Sequence, residues 1–253
     1  MTPIPYGGPV PAGVLAALLP AQVTVVDTCH DGVGAALFPE EEAVAARFAA
    51  RRRREFSTVR ACARAALAVS GVAPVPILPG PRGEPGWPEG IVGSLTHCTG
   101  YRAAAVARST EVASLGIDAE PAEPLSDPGV LALVSDGTER AALRELAARH
   151  PETPWDRLLF SAKESVYKTW FPLTGTWLGF HDARVTLHPG GTFSATLLVP
   201  GPELSGTRLT GFEGRWRTTG TLAVTAIALL APTPSPPHPA APPPSAPPGP
   251  PLP

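Results

Sequence analysis

The chain has 253 residues, 43% of them hydrophobic, and a formal net charge of -2. This is enough apolar material for one large domain or two modest ones. The balanced charge gives no general attraction to nucleic acid or an anionic membrane, so any recognition has to be built locally. Three cysteines, Cys29, Cys62 and Cys98, are odd in number and lack C-x-x-C spacing, which argues against a disulfide framework or a thiolate zinc site. With no basic leader at Met1–Tyr6 and no apolar run of about 18 residues, the expectation is a soluble cytoplasmic protein.

In chain order, Gln22–Asp27 is a β-branched run that predicts a strand. Glu40–Val69 is rich in Ala and Arg, with Val44, Phe48, Phe56, Val59 and Leu67 at helical spacings and Gly71 to close it. One straight helix of that length would be about 45 Å long. Two helices are therefore expected, with a break near Arg51–Arg54. Proline and glycine punctuate Pro74–Gly93, a loop that contains Arg82-Gly-Glu-Pro85 and Trp87-Pro88. The segment from Gly93 to Cys98 reads as a hydroxyl-rich turn around Thr96 and His97, leading into a buried strand at Tyr101–Ala107. A second strand, Ala113–Glu120, is stopped by Pro121. Helices follow at Thr138–His150 and Trp155–Trp170, then β-branched runs from Ala183 to Leu230. The order is mixed α and β. The proline-dominated segment Ala231–Pro253 is expected to be a disordered tail whose deletion leaves activity unaltered.

The basic residues locate the chemistry. Eighteen are arginines, and both lysines, Lys163 and Lys168, fall in Ser161-Ala-Lys-Glu-Ser-Val-Tyr-Lys168, flanking Glu164. Lysine is a compact charge whose proton its surroundings can tune, whereas Arg is a fixed planar fork. On a helix, Glu164 and Lys168 stack at i and i+4, which suits either a site or an ordinary exposed pair. In Gly116-Ile-Asp-Ala-Glu120, Asp118 and Glu120 stand at i and i+2 and share one face of a strand. Two hard oxygen ligands on one face suit Mg²⁺ with substrate phosphates, and they equally suit a solvated strand end. Hydroxyls and an imidazole around His97 suit a phosphate cradle or a capping turn. The arginines 51–54 suit a clamp for a phosphorylated ligand or a solvated helix face.

Taken in this order, Arg53-Arg-Glu-Phe56 with Arg60, Gly93-Ser-Leu-Thr-His-Cys98, Gly116-Ile-Asp-Ala-Glu120 and Phe160-Ser-Ala-Lys-Glu-Ser-Val-Tyr-Lys168 resemble the 4′-phosphopantetheinyl transferases. The match is to the larger, monomeric type that serves siderophore, polyketide, peptide and mycolic-acid synthesis in actinobacteria, and it extends from about Val23 to Leu230. The resemblance implies an α+β (mixed α/β) fold of two similar halves related by a pseudo-two-fold. No internal repeat is visible in the sequence. The halves are expected at 1–112, binding coenzyme A, and at 113–230, binding Mg²⁺ and carrying catalysis, with 231–253 as the tail.

The implied reaction moves the phosphopantetheine arm of coenzyme A to a serine of an acyl, peptidyl or aryl carrier protein, releasing adenosine 3′,5′-bisphosphate. By the same resemblance, Asp118, Glu120 and Glu164 would hold Mg²⁺, with Mn²⁺ as an alternative, and Glu164 would be the base for the serine proton. Lys168 would offset charge on the leaving oxygen, and Lys163, Thr96 and His97 would contact the phosphates. Arg52 and Arg60 would grip the 3′-phosphate and adenine end, with Arg82 beside them in a loop where relatives often carry a lysine. Two rival readings of the same residues are a Mg²⁺-dependent phosphohydrolase or nucleotidyl enzyme, and a nucleic-acid-binding protein using Arg51–Arg54. Net charge and the lack of a broad basic stripe weigh against the second, so no nucleic-acid and no membrane partner is expected.

Overall fold

A computed structural model describes residues 13–31 and 36–232. Ten strands and five α-helices form two antiparallel sheets, a small hairpin and two helical layers. In the first half, β1 (Thr24–Thr28) is followed by α1 (Pro39–Ala45), α2 (Ala50–Val69), β2 (Ile91–Cys98) and β3 (Tyr101–Arg108), with sheet order β1-β3-β2. The second half contains β4 (Val112–Pro121), α3 (Pro128–Val134), α4 (Gly137–Arg149), α5 (Trp155–Thr174), β5 (Ala183–His188) and β6 (Thr192–Leu197). It continues through β7 (Glu203–Leu204), β8 (Thr207–Arg208), β9 (Gly211–Thr218) and β10 (Leu222–Leu230). Its sheet runs β4-β10-β9-β6-β5, and β7-β8 is a separate hairpin. The mixed α+β class expected from the sequence is the observed one.

Small side chains in β3 decide the layering. Tyr101–Ala107 is buried without interruption, because strand alternation sends its alanines into two different cores. Ala104 and Val106 pack with Cys62, Ala66 and Leu67 of α2. Ala103, Ala105 and Ala107 face the opposite way and pack with Leu115 and Ile117 of β4 and Val224 of β10. A third core lies beyond the second sheet, where Leu158, Ala162 and Val166 of α5 meet Phe193 and Ile227. The order of layers is therefore α2, first sheet, second sheet, α5.

The helix break falls at 46–49, so that Arg51–Arg54 open α2 rather than interrupt it. Gly71 ends α2 in the left-handed region at φ +72, as its composition predicts. The segment Gly93–Cys98 is a correction: it is part of strand β2, paired with β3 from Ile91↔Arg108 to Cys98↔Tyr101, and not a turn. Helix α3 was not expected from its seven residues with Pro and Gly at the start. Asp127 caps it, accepting from Gly129 N at 2.7 Å. Of the proline-rich tail, residues 233–253 lie outside the described residues, so its expected disorder has no structural counterpart here. Among the described residues no helix is long and apolar enough to cross a membrane.

Candidate active site

The site is built where α5 crosses β4 and β10. A Cβ on Gly116 would stand 2.1 Å from Ser165 O and 2.4 Å from Thr169 Oγ1, so the absence of a side chain is what lets α5 lie directly on the strand. Ser161, Ser165 and Lys168 follow at i, i+4 and i+7 and share the helix face turned to the sheet. Lys168 Nζ donates to Asp118 Oδ1 at 2.7 Å and to Ile117 O at 3.1 Å. Ser161 Oγ donates to Asp118 Oδ2 at 2.8 Å. Thr96 Oγ1 lies 3.4 Å from Asp118 Oδ1 and accepts from Ala119 N at 2.9 Å. Ser94 Oγ likewise accepts from Ile117 N at 3.0 Å, so hydroxyls of β2 reach the free edge of β4.

A cavity of about 540 Å³ opens along this seam. Arg52 and Arg60 enter it from α2, Arg82 from the 74–90 loop, and Thr96 and His97 from β2. Asp118, Glu164 and Lys168 line its other side, and Trp87, Tyr167 and Phe171 give it apolar walls. Of the four successive arginines, Arg52 lines the cavity, while Arg51, Arg53 and Arg54 pair with Glu55, Glu42 and Asp31. Arg60 is buried over the Phe56 ring, 3.8 Å from its centroid, and donates from Nε to Ile77 O at 3.2 Å. Burial pulls its guanidinium down to about 10, with Glu41 opposing. His97 meets Arg52 Nη1 through Nε2, and burial followed by the Arg52 charge pushes the imidazole down to about 4. A neutral ring among cations leaves this wall ready to accept or donate to an anion.

The acids behave differently. Burial raises Glu164 above the usual carboxylate range, with Lys168 opposing, and among the described residues no donor is hydrogen-bonded to its carboxylate. Glu120 is pushed up to about 7 by burial and then by Asp118, although Arg157 counters. Arg157 holds it: Nη1 donates to Glu120 Oε2 at 3.0 Å, while Nε and Nη2 bond Glu123 O at 3.0 Å and Pro124 O at 3.2 Å.

Two of the expected residues, Lys163 and Glu120, are not among those that line the cavity. Lys163 is not turned to the cavity with Arg52 and His97; its ammonium pairs with Glu139 Oε1 at 2.7 Å and donates to Phe180 O at 2.7 Å and Ala183 O at 2.5 Å. One residue of helix is about 100° of rotation, which turns Lys163 away when Glu164 faces in. The expected convergence of three carboxylates is also incomplete. Asp118 and Glu164 line the cavity and Glu120 stands behind Arg157. Among the described residues, no group of three His, Cys, Asp or Glu side chains is gathered as if to hold a metal ion. The donor chemistry nonetheless fits a hard divalent cation: all-oxygen carboxylates, two of them raised chiefly by burial in spite of the cations beside them.

Sequence reasoning missed four participants: Ser161, Thr225, Arg157 and Tyr167. Tyr167 lines the cavity with a buried hydroxyl that has no hydrogen-bond partner among the described residues. Ser161 sat inside the octapeptide and could have been found from its i, i+7 relation to Lys168. Thr225 gave no signal in the chain.

The cavity thus lies on the seam between the two halves, with arginines of the first half facing acids and a lysine of the second. Residues 40–107 match the 4′-phosphopantetheinyl transferase N-terminal domain, and residues 114–220 match the 4′-phosphopantetheinyl transferase superfamily. The 4′-phosphopantetheinyl transferase Svp of Streptomyces mobaraensis is 57% identical over 224 residues, covering 87% of this chain and 90% of its own. The 4′-phosphopantetheinyl transferase PptT of Mycobacterium tuberculosis is 48% identical over 229 residues, 88% of this chain and 99% of its own. Enterobactin synthase component D of Salmonella typhimurium is 35% identical over 156 residues, 58% of this chain and 63% of its own. The chain belongs to the 4′-phosphopantetheinyl transferase superfamily and is an enzyme that transfers the arm of coenzyme A to carrier proteins.

Proposed function

We propose that coenzyme A lies in the seam cavity, with Arg52, Arg60 and Arg82 at its 3′-phosphate and adenine end and Thr96 and His97 beside the diphosphate. Charge-assisted forks suit phosphate oxygens, and the neutral His97 ring adds a donor without further repulsion among the cations. The carrier serine loses its proton to Glu164 as its Oγ forms a bond to the β-phosphorus. The bond from that phosphorus to the bridging oxygen breaks, and adenosine 3′,5′-bisphosphate leaves. Lys168 spends two N–H groups on Asp118 and Ile117 O and keeps a third for the leaving oxygen.

Asp118 and Glu164 would hold Mg²⁺, or Mn²⁺ in its place, with Glu120 completing the set from beside Arg157; bound there, the ion neutralises charge on the diphosphate. The observation that carries the assignment is Glu164: raised by burial, without a hydrogen-bond donor among the described residues, and facing the same cavity as Asp118, Lys168 and three arginines. The partners are acyl, peptidyl or aryl carrier proteins of siderophore, polyketide or peptide synthesis, modified in the cytoplasm by a monomer.

The test is direct. Incubation with coenzyme A and an apo carrier protein adds the mass of the phosphopantetheine arm to the carrier, and adds none when the carrier serine is replaced by alanine. Phosphate release without an adduct would favour the phosphohydrolase reading.

A further inference from the structure

Behind Asp118 lies a row of buried hydroxyls. In the β4–β10 ladder Asp118 is paired with Thr225, so the two side chains are cross-strand neighbours on the face that α5 covers. Ser165 Oγ lies 2.7 Å from Thr225 Oγ1, which lies 2.9 Å from Ser161 Oγ, which donates to Asp118 Oδ2 at 2.8 Å. Ser161, Ser165 and Thr225 are each 0% exposed.

Each hydroxyl has one hydrogen, and the terminal acceptor fixes the direction of the chain. A carboxylate can only accept, so the Ser161 proton is committed to Asp118. Thr225 must then be the donor if it bonds Ser161 Oγ, and Ser165 the donor to Thr225. Thr225 also reaches Ser161 O at 2.9 Å, which pins the same turn of α5. The one Thr225 hydrogen is thus shared between two acceptors on that turn, Ser161 O and Ser161 Oγ, both at 2.9 Å, and through the second of these the row runs on to the carboxylate, where hydrogen bonds in series strengthen one another at low local dielectric.

We infer that Ser165, Thr225 and Ser161 form a positioning relay that clamps Asp118 Oδ2 and so turns Oδ1 toward Lys168 and the cavity. None of the three hydroxyls lines the cavity, so they act through Asp118 and not on substrate. The inference rests on the reading of Asp118 as a ligand of the divalent ion, where outer partners of a ligand commonly set affinity by about 10–100-fold.

The experiment uses the full chain and reads Mn²⁺ affinity by electron paramagnetic resonance, alongside kcat and KM for coenzyme A with an apo carrier protein. Ser161→Ala should lower Mn²⁺ affinity by about 10-fold or more. Its kcat should fall in parallel, with coenzyme A binding in the absence of metal unchanged. Thr225→Val, at a residue with no hydrogen bond to Asp118 among the described residues, should move the same quantities in the same direction by less, and Thr225→Ser should restore them. Thermal unfolding of each variant separates a loss of fold from a loss of aim, because Thr225→Ser keeps the hydroxyl while losing a packed methyl. Mn²⁺ affinity and kcat within twofold of the parent in both Ser161→Ala and Thr225→Val would overturn the relay. If Asp118→Asn binds Mn²⁺ as the parent does, the ligand reading itself fails and takes the relay with it.

Discussion

Glu41 and Glu139 occupy equivalent places in the two halves of the molecule. Each is the third residue of a helix and reaches back to the main chain before it, Glu41 accepting from Phe38 N at 3.0 Å and Glu139 from Asp136 N at 2.8 Å. Each also accepts from a distant main-chain N–H, Ile77 at 2.9 Å and Val185 at 2.8 Å. Finally, each takes a cation from the next long helix, Arg64 for Glu41 and Lys163 for Glu139. The pseudo-two-fold is thus written in a buried acid that ties two helices to a distant main-chain segment, a loop in the first half and β5 in the second.

The first prediction concerns that tie. Breaking a buried pair by removing one partner strands the other charge, at a cost of about 3–5 kcal/mol. Glu139→Gln should lower the unfolding free energy on that scale in urea at pH 7. Combining it with Lys163→Met should recover most of the loss. Because Lys163 faces away from the cavity, the double variant should keep the parent KM for coenzyme A. A tenfold rise would return Lys163 to the phosphates.

The second prediction is a titration. With its folded value near 4 against the ordinary imidazole value of 6.5, His97 binds fewer protons folded than unfolded between those limits. Its contribution to stability is therefore present above pH 6.5 and is lost as pH falls through about 4. By NMR of the imidazole, the free enzyme should show no midpoint for His97 between pH 5 and 8. Arg52→Ala should move the midpoint upward, since the neighbouring guanidinium is the second cause after burial.

The third prediction addresses the base. Glu164→Gln keeps the shape of the cavity wall and removes the proton acceptor. Transfer should fall by about 10²-fold or more while coenzyme A still binds, as followed by carrier mass and by calorimetry. Turnover equal to the parent would remove Glu164 from that role.

The fourth prediction uses Gly116. A methyl there collides with Ser165 O and Thr169 Oγ1, both on α5, so Gly116→Ala should cost about 1–3 kcal/mol by overpacking. Since α5 carries Glu164 and Lys168, kcat should drop well below the parent even at temperatures where circular dichroism reports a folded protein.

The sequence revealed the chemistry more readily than its placement. Asp118 on a strand and Glu164 with Lys168 on a helix were legible from periods of two and of four, and Gly71 from its role in closing a helix, whereas the close approach that Gly116 permits was not. His97 reads as part of a turn because Gly93 disfavours a strand and small hydroxyl side chains can bond their own backbone; pairing with β3 overrides that preference. Lys163 was misplaced because its true partner, Glu139, is 24 residues earlier on another helix, a distance over which no local period reports. The internal repeat stayed hidden for a related reason. The two halves conserve a pattern of hydrogen bonds while using Arg64 in one and Lys163 in the other, with different chain lengths between the contacts.

Where β2 meets β4, two alcohol side chains take the place of a backbone ladder, Ser94 on Ile117 and Thr96 on Ala119. The edge that would otherwise invite another strand is thereby sealed by groups only a few atoms long, and the cofactor-sized cleft runs along that closure. Adhesion between the lobes is consequently encoded in ordinary side-chain identity: exchanging either alcohol for a hydrocarbon would leave a main-chain amide unanswered at the wall of the cavity.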